Sequence, residues 1–195
     1  MTRQTYTVRH RSRVYEGFMK LDLYEVAIES GGRRWEMVRE VHDHGCGAAV
    51  LPYDEERRTA LLVRQLRVPV HVTDGEGLIL EAAAGLTDPE DADPSVTARR
   101  EAAEELQYAV HDLQEVATFY PIPGMVTERM SCFIARYTPA DRLTGGPEAD
   151  EDEVLEVEEW PLDELWRAFR DGRLRDGKAI VCLQGLRIAR PDLFT

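Results

Sequence analysis

Three glutamates, Glu101, Glu104 and Glu105, are spaced three and four residues apart in the stretch REAAEEL (100–106). If that stretch is helical, all three carboxylates emerge on one face within a single turn. Like charges so placed repel one another and destabilise an isolated helix. The arrangement becomes favourable once a divalent cation neutralises it, and Mg2+ is a hard ion that prefers oxygen ligands. On its own EAAEEL reads more simply as a solvated acidic helix face, so the flanking residues decide. Immediately upstream, GLTDPEDADP (85–94) follows Ala82-Ala83-Ala84. Small residues there let backbone carbonyls approach a metal and let a tight turn bring the chain back to the helix.

These carboxylates need a scaffold, and the hydrophobic pattern supplies one. A helix is predicted over 95–106, with Pro94 just ahead of it as an N-terminal signal. Core strands are predicted at 45–51 (GCGAAVL) and 59–65 (TALLVRQ), joined by the polar turn 53–58. Further strands are predicted at 77–83, 115–120, 130–137 and 154–160, and the Gly, Pro and acid-rich stretch 139–153 reads as a loop. One amphipathic helix follows Pro161 and stops at Gly172, and another covers about 176–189. From Arg11 to Asp43, short alternating blocks flank Ser30-Gly31-Gly32, as in a β-hairpin preceding the main domain. Strands interrupted by isolated helices, without a βαβ rhythm, indicate a mixed α/β sandwich and not a doubly wound sheet. With 195 residues and 43% hydrophobic content, the chain can bury one large core.

The charge balance narrows the partners. Thirty-seven acidic residues against 24 basic ones give a net charge of −13, which argues against a nucleic-acid-binding surface built on clustered Lys and Arg. A small polyanionic substrate remains compatible, provided a divalent cation bridges acidic protein and acidic phosphate. No apolar run approaches the roughly 18 residues of a membrane span, and no apolar segment backs the basic N-terminus, so a cytoplasmic protein without a membrane partner is expected. Cys46, Cys132 and Cys182 are scattered and lack CxxC or Cys/His spacing, so they read as incidental or buried thiols. His42 and His44 would share one face of a strand, but no third ligand of fitting spacing accompanies them, and they read as a polar strand end.

The segment GLTDPEDADPSVTARREAAEELQYAV resembles the Nudix box, G-x5-E-x7-R-E-U-x-E-E-x-G-U, where U is aliphatic; the matches are Gly85, Arg100, Glu101, Ala102, Glu104 and Glu105. The loop from Gly85 to Arg100 is one residue longer than the pattern, so the upstream acid is Glu90 or Asp91. Gln107 stands where the pattern has its second glycine, and Tyr108 where it has an aliphatic residue. Beyond the box, REVHDHGCGAAVLPYD, LLVRQLRVPV, LILEAAAGL, PIPGMVTERMSCFIARY, EDEVLEV and RLRDGKAIVCL look like segments of the ADP-ribose and GDP-mannose pyrophosphatase branch of the family.

This resemblance implies an α/β/α sandwich with a mixed sheet, preceded by an N-terminal strand extension (1–43) that serves dimerisation of a Nudix domain (44–195). It implies a homodimeric, Mg2+-dependent enzyme, with Mn2+ as the alternative metal, that splits a nucleoside diphosphate sugar such as ADP-ribose or GDP-mannose into two monophosphates. The metal ligands would be Glu101, Glu105 and the carbonyl of Ala84, with Glu104 in support and Arg100 bracing the carboxylates. Glu153, beside Glu151 and Asp152, matches an acid that binds metal or activates water, a role the helix glutamates could also fill. Arg39 and Arg67 match positions that contact the diphosphate or its attached groups. Two other functions stay open at this point: hydrolysis of another nucleoside diphosphate compound or a dinucleotide, and a non-catalytic nucleotide-sugar-binding module.

Overall fold

The computed structural model describes residues 4–145 and 155–195. The chain divides into two compact units, one formed by Met1–Cys46 with Tyr120–Arg129 and the other by Gly47–Phe119 with Met130–Thr195.

In the first unit, β1 (Thr5–Glu16), β2 (Lys20–Ser30) and β3 (Arg33–Asp43) form an antiparallel sheet in that order. Strands β2 and β3 are the expected hairpin, in continuous register from Lys20↔Asp43 to Ser30↔Arg33. Gly31 and Gly32 close it with φ of +57° and +76°, the left-handed values that a two-residue hairpin turn needs at both central positions. Strand β1 extends well ahead of the predicted start at Arg11. Its side chains are almost all exposed, so no alternation of burial marks it in the sequence, and backbone pairing with β2 is what defines it. Asp22 on β2 is buried and receives Arg11 Nη2 and Arg13 Nε, each at 2.7 Å. The hydrogen bond from Arg13, aided by Arg11 and opposed by burial, holds the Asp22 carboxyl down at about 2. Residues 120–129 join this unit through backbone bonds to β3: His42 N donates to Met125 O and Thr127 N to His42 O, both at 2.9 Å.

The second unit is built on a seven-stranded mixed sheet. Along its main path the order is β10 (Leu155–Pro161), β5 (Thr59–Leu66), β4 (Gly47–Asp54), β9 (Met130–Arg136), β8 (His111–Phe119); β6 (Leu78–Glu81) pairs with β5 and β7 (Ala83–Leu86) with β4. The β4–β9 pair is parallel and the other named pairs are antiparallel. Every residue of β4 is buried, as a central strand covered on both faces requires. The single strand expected over 77–83 is two, because Ala82 N donates to Asp176 Oδ2 at 3.2 Å and not to a neighbouring strand. At that break the chain changes its neighbour from β5 to β4.

Helices cover both faces. On one, α2 (Pro94–Glu105) lays Ala98 and Ala102, followed by Leu106, over Ala48, Val50, Leu61, Val63, Ala83 and Phe133. On the other, α3 (Leu162–Arg170) and α4 (Gly177–Ala189) cover Ala49, Leu51, Leu62, Cys132 and Ile134 with Leu162, Leu165, Cys182, Leu183 and Leu186. This is the expected α/β/α sandwich. A further short helix, α1 (Val68–Asp74), is absent from the sequence reading, because VPVHVTD is rich in β-branched residues. Pro69 in its first turn and Gly75, at φ +81° with its N–H on His71 O, hold it instead. No helix among the described residues is long and apolar enough to cross a membrane.

Candidate active site

Helix α2 begins where the side chain of Asp93 accepts the Ser95 N–H at 2.8 Å, with Pro94 at the first position, where its missing N–H costs nothing. Its buried residues fall into two rows four residues apart. Ala98 and Ala102 enter the core, while Thr97, Glu101 and Glu105 run along its edge. Glu101 and Glu105 are each only 6% exposed, and Glu104, one turn edge further out, is half-buried. In the loop ahead of the helix, Asp91 accepts the Thr97 hydroxyl at 2.7 Å and the Asp88 N–H at 3.2 Å, whereas Glu90 is exposed.

Buried carboxylates must be paired or solvated by dipoles. Glu105 Oε2 accepts the backbone N–H of Ala84 at 3.0 Å, which ties the end of α2 to β7. Arg100 Nη1 lies 2.8 Å from Glu101 Oε1 and 2.9 Å from Glu104 Oε2, and its Nη2 donates to Leu86 O at 3.0 Å. Burial opposes the Arg100 charge, but Glu101 and Glu104 outweigh it and keep the guanidinium firmly protonated. Gly85 faces Glu101 directly: a Cβ at that position would lie 2.0 Å from Glu101 Oε1 and 2.4 Å from its Cδ. The absence of a side chain at Gly85 is what makes room for the carboxylate.

The residues present suit a hard divalent cation. The donors are carboxylate oxygens, three negative charges share a face with the single positive charge of Arg100, and Gly85 keeps the space beside Glu101 clear of side chain. Among the described residues, no group of three His, Cys, Asp or Glu side chains converges as a ready metal cage. The geometry shows why: Glu101 and Glu104 close on Arg100, and Glu105 on an amide.

A second polar cluster lies around Glu81, at the end of β6. Arg67, between β5 and α1, gives Glu81 two hydrogen bonds, Nε to Oε1 at 2.6 Å and Nη2 to Oε2 at 3.1 Å. Lys178 Nζ, from the first turn of α4, donates to Glu81 Oε2 at 2.9 Å and to Asp176 Oδ1 at 2.8 Å. Burial pushes the Glu81 carboxyl up, but Arg67 and Lys178 together hold it below the usual range. The sequence reading includes Arg67 and omits Glu81, Lys178 and Asp176. A lone acid inside the apolar run LILEAAAGL was the available signal.

Arg39, on β3, belongs to the first unit, where its Nη1 donates to the carbonyl of Val38 at 2.8 Å. Glu153, with Glu151 and Asp152, lies outside the described residues. His44 stands 3.8 Å from Glu128 and stacks near Phe18, and among the described residues no third ligating side chain joins them.

A mixed sheet between two helical layers, with the glutamate-lined edge of α2 set against a glycine-bearing strand, defines an α/β sandwich with an acidic candidate site. The same fold occurs in a crystal structure of an ADP compounds hydrolase, with a TM-score of 0.71 and 21% identity over 96% of this chain and 95% of that one. The NUDIX domain matches residues 43–180. The GDP-mannose pyrophosphatase of Cronobacter sakazakii is 43% identical over 151 residues, covering 77% of this chain and 78% of that protein. That of Yersinia pestis is 38% identical over 171 residues, covering 87% and 85%. The chain belongs to the Nudix hydrolase family.

Proposed function

We propose that the protein hydrolyses the pyrophosphate bond of a nucleoside diphosphate sugar, with GDP-mannose as the leading substrate and ADP-ribose the next. Water adds across the P–O–P bridge and two monophosphates leave. The observation that carries this reading is the burial of Glu101 and Glu105 against Ala84 and Gly85, which gathers carboxylate oxygens beside a strand that offers a backbone carbonyl and no side chain at Gly85. The relatives named GDP-mannose pyrophosphatase, which span most of the chain, support the choice of substrate.

Glu101, Glu105 and the carbonyl of Ala84 would hold Mg2+, or Mn2+ in its place, with Glu104 in support. The bound ion supplies neutralisation of phosphate charge and a more acidic water. Arg100 keeps Glu101 and Glu104 oriented by charge-assisted hydrogen bonds. One acid, Glu153 or a helix glutamate, takes the proton from the attacking water. Arg67 and Arg39 contribute positive charge to the diphosphate or the groups attached to it. The N-terminal extension, residues 1–43, pairs two copies into a homodimer of Nudix domains, residues 44–195. The almost fully exposed β1, with Tyr6, Val8, Val14 and Tyr15 uncovered, supports that role. Cys46, Cys132 and Cys182 are all free thiols, in keeping with a cytoplasmic setting.

The test is a product assay with purified protein and Mg2+ on a panel of GDP-mannose, ADP-ribose, other nucleotide sugars and dinucleotides. GDP-mannose should give GMP and mannose 1-phosphate faster than any other member gives its products. Turnover of none of these diphosphates would refute the reading.

A further inference from the structure

Three arginines line one cavity of about 220 Å3 in the second unit: Arg64 on β5, and Arg173 and Arg175 in the connection from α3 to α4. In a chain of net charge −13, cations gathered around a hollow run against the prevailing charge. The sheet separates them from the α2 carboxylates. Arg64 pairs with Leu80 and follows Leu62 by two residues, and both leucines belong to the core under α3 and α4, whereas Val63 belongs to the core under α2. Side chains alternate along a strand, so Arg64 faces α3 and α4, while α2 and its glutamates lie on the other side.

The lining is fixed by bonds of its own. Glu158 accepts Arg64 through both oxygens and Trp160 Nε1 at 2.7 Å, which holds a guanidinium and an indole in one wall. Gly172, at φ +73°, turns the chain out of α3, and the N–H groups of Arg173 and Leu174 both donate to Ala168 O, at 2.8 and 3.0 Å. Leu174 is buried, and the arginine side chains on either side of it are 58% and 46% exposed, so neither serves the core. Their acidic neighbours are exposed as well: Arg173 Nη2 lies 3.4 Å from Asp171 Oδ2, and Arg175 Nη1 2.6 Å from Asp74 Oδ2. Exposed pairs of this kind contribute little to stability. A guanidinium that meets one carboxylate oxygen through one nitrogen keeps further N–H donors for an anion. The rest of the wall, including Leu78, Leu80, Ala168 and Leu174, is apolar.

We infer that this cavity binds a monophosphate carried on a single ring, of the size of a sugar phosphate. Guanidinium forks match phosphate oxygens, and an apolar wall beside the Trp160 indole suits the carbon face of a ring. The volume sets the size: pockets for drug-sized ligands begin at about 300 Å3, so a whole nucleoside diphosphate sugar is too large for this one. The site is separate from the hydrolytic one, and its occupation does not depend on turnover.

The test is titration calorimetry of the full-length protein with mannose 1-phosphate, ribose 5-phosphate and inorganic phosphate, in EDTA so that no divalent cation serves the α2 carboxylates. A sugar phosphate should bind about tenfold or more tightly than inorganic phosphate, because the ring adds apolar contact. Changing both arginines, Arg173→Ala with Arg175→Ala, should weaken that binding about tenfold or more, as expected for lost charge-assisted hydrogen bonds. A saturable change in tryptophan fluorescence should accompany binding and vanish in Trp160→Phe, although Trp35 and Trp166 remain. Undetectable binding of both sugar phosphates or an unchanged affinity in the double variant would overturn the assignment. So would inorganic phosphate binding as tightly, which would mean an adventitious ion only. The double variant should keep its kcat on the preferred nucleotide sugar within about twofold, and a parallel loss of kcat would contradict a separate site. If the double variant does not fold, Arg175→Gln alone takes its place, with a loss of about threefold or more in affinity. Wild-type protein that binds the sugar phosphate but hydrolyses no diphosphate would leave this site in place and overturn only the function proposed above.

Discussion

Gly85 and Glu101 face each other so closely that a methyl group on Gly85 would fall 2.0 Å from the Glu101 carboxylate oxygen. The atom in the way is the far end of a flexible side chain, so Gly85→Ala should be accommodated by rotating Glu101 and not by unfolding. Little stability should be lost, within about 1 kcal/mol. Activity should fall by about a hundredfold, since a small displacement of a positioned group is enough for that. Thermal melts beside steady-state rates check it. A fully active Gly85→Ala would mean that the position of Glu101 does not matter.

Arg100 is braced by Glu101, Glu104 and the carbonyl of Leu86. Arg100→Lys keeps the charge but loses the planar fork that reaches all three. The expected result is a loss of about 10- to 100-fold in Mg2+ affinity or in activity, the usual cost of removing an outer support of a metal ligand. Metal titrations of the rate measure this, and an unchanged Mg2+ dependence would contradict it.

The helix end depends on Gln107, which is in the left-handed region at φ +60°. Its side-chain Nε2 donates to Ala103 O at 3.1 Å and Glu104 O at 2.9 Å, and Tyr108 N closes back on Ala102 O. The glutamine thus terminates the helix at the place where the family pattern has a glycine, offsetting its backbone strain with bonds to otherwise open carbonyls. Gln107→Val, β-branched and without a donor, should cost about 2 kcal/mol. Denaturant unfolding measures it, and an equal midpoint would remove the capping role.

Asp22 gives the first unit a pH dependence of definite sign. An unfolded Asp titrates near 3.8, while Arg13 and Arg11 hold the folded group at about 2. A depressed carboxyl contributes stability that is fully present above the unfolded value and is lost as pH falls through the folded one. The three-stranded sheet should therefore weaken between about pH 4 and pH 2, and Asp22→Asn should lose that dependence. Hydrogen exchange of β1 and β2 against pH reads this directly.

The parts of the fold that are visible in the sequence are those that carry a local signal. Gly31 and Gly32 mark the hairpin turn, β4 is an apolar run, Pro94 stands at the start of α2, and α3 and α4 bury apolar residues at helical spacing. What escapes is set by contacts distant in sequence. Strand β1 is exposed on both faces, residues 120–129 dock through backbone bonds to β3, and Ala82 leaves the sheet because a side chain 94 residues later takes its N–H. The site divides in the same way. The spacing of Glu101, Glu104 and Glu105 reveals one helix face, and the box pattern adds Gly85 and Arg100. Glu81 and Lys178 become partners only through the fold, 97 residues apart.

The most direct measurement of the central claim is the kcat of Glu105→Gln on the preferred diphosphate substrate. Glutamine retains a carbonyl oxygen that can accept the Ala84 N–H, so the melting temperature should stay close to that of the wild type. If Glu105 holds the metal as proposed, kcat should drop on the order of a thousandfold or more. A variant that folds normally and remains fully active would place the metal, and the chemistry, elsewhere.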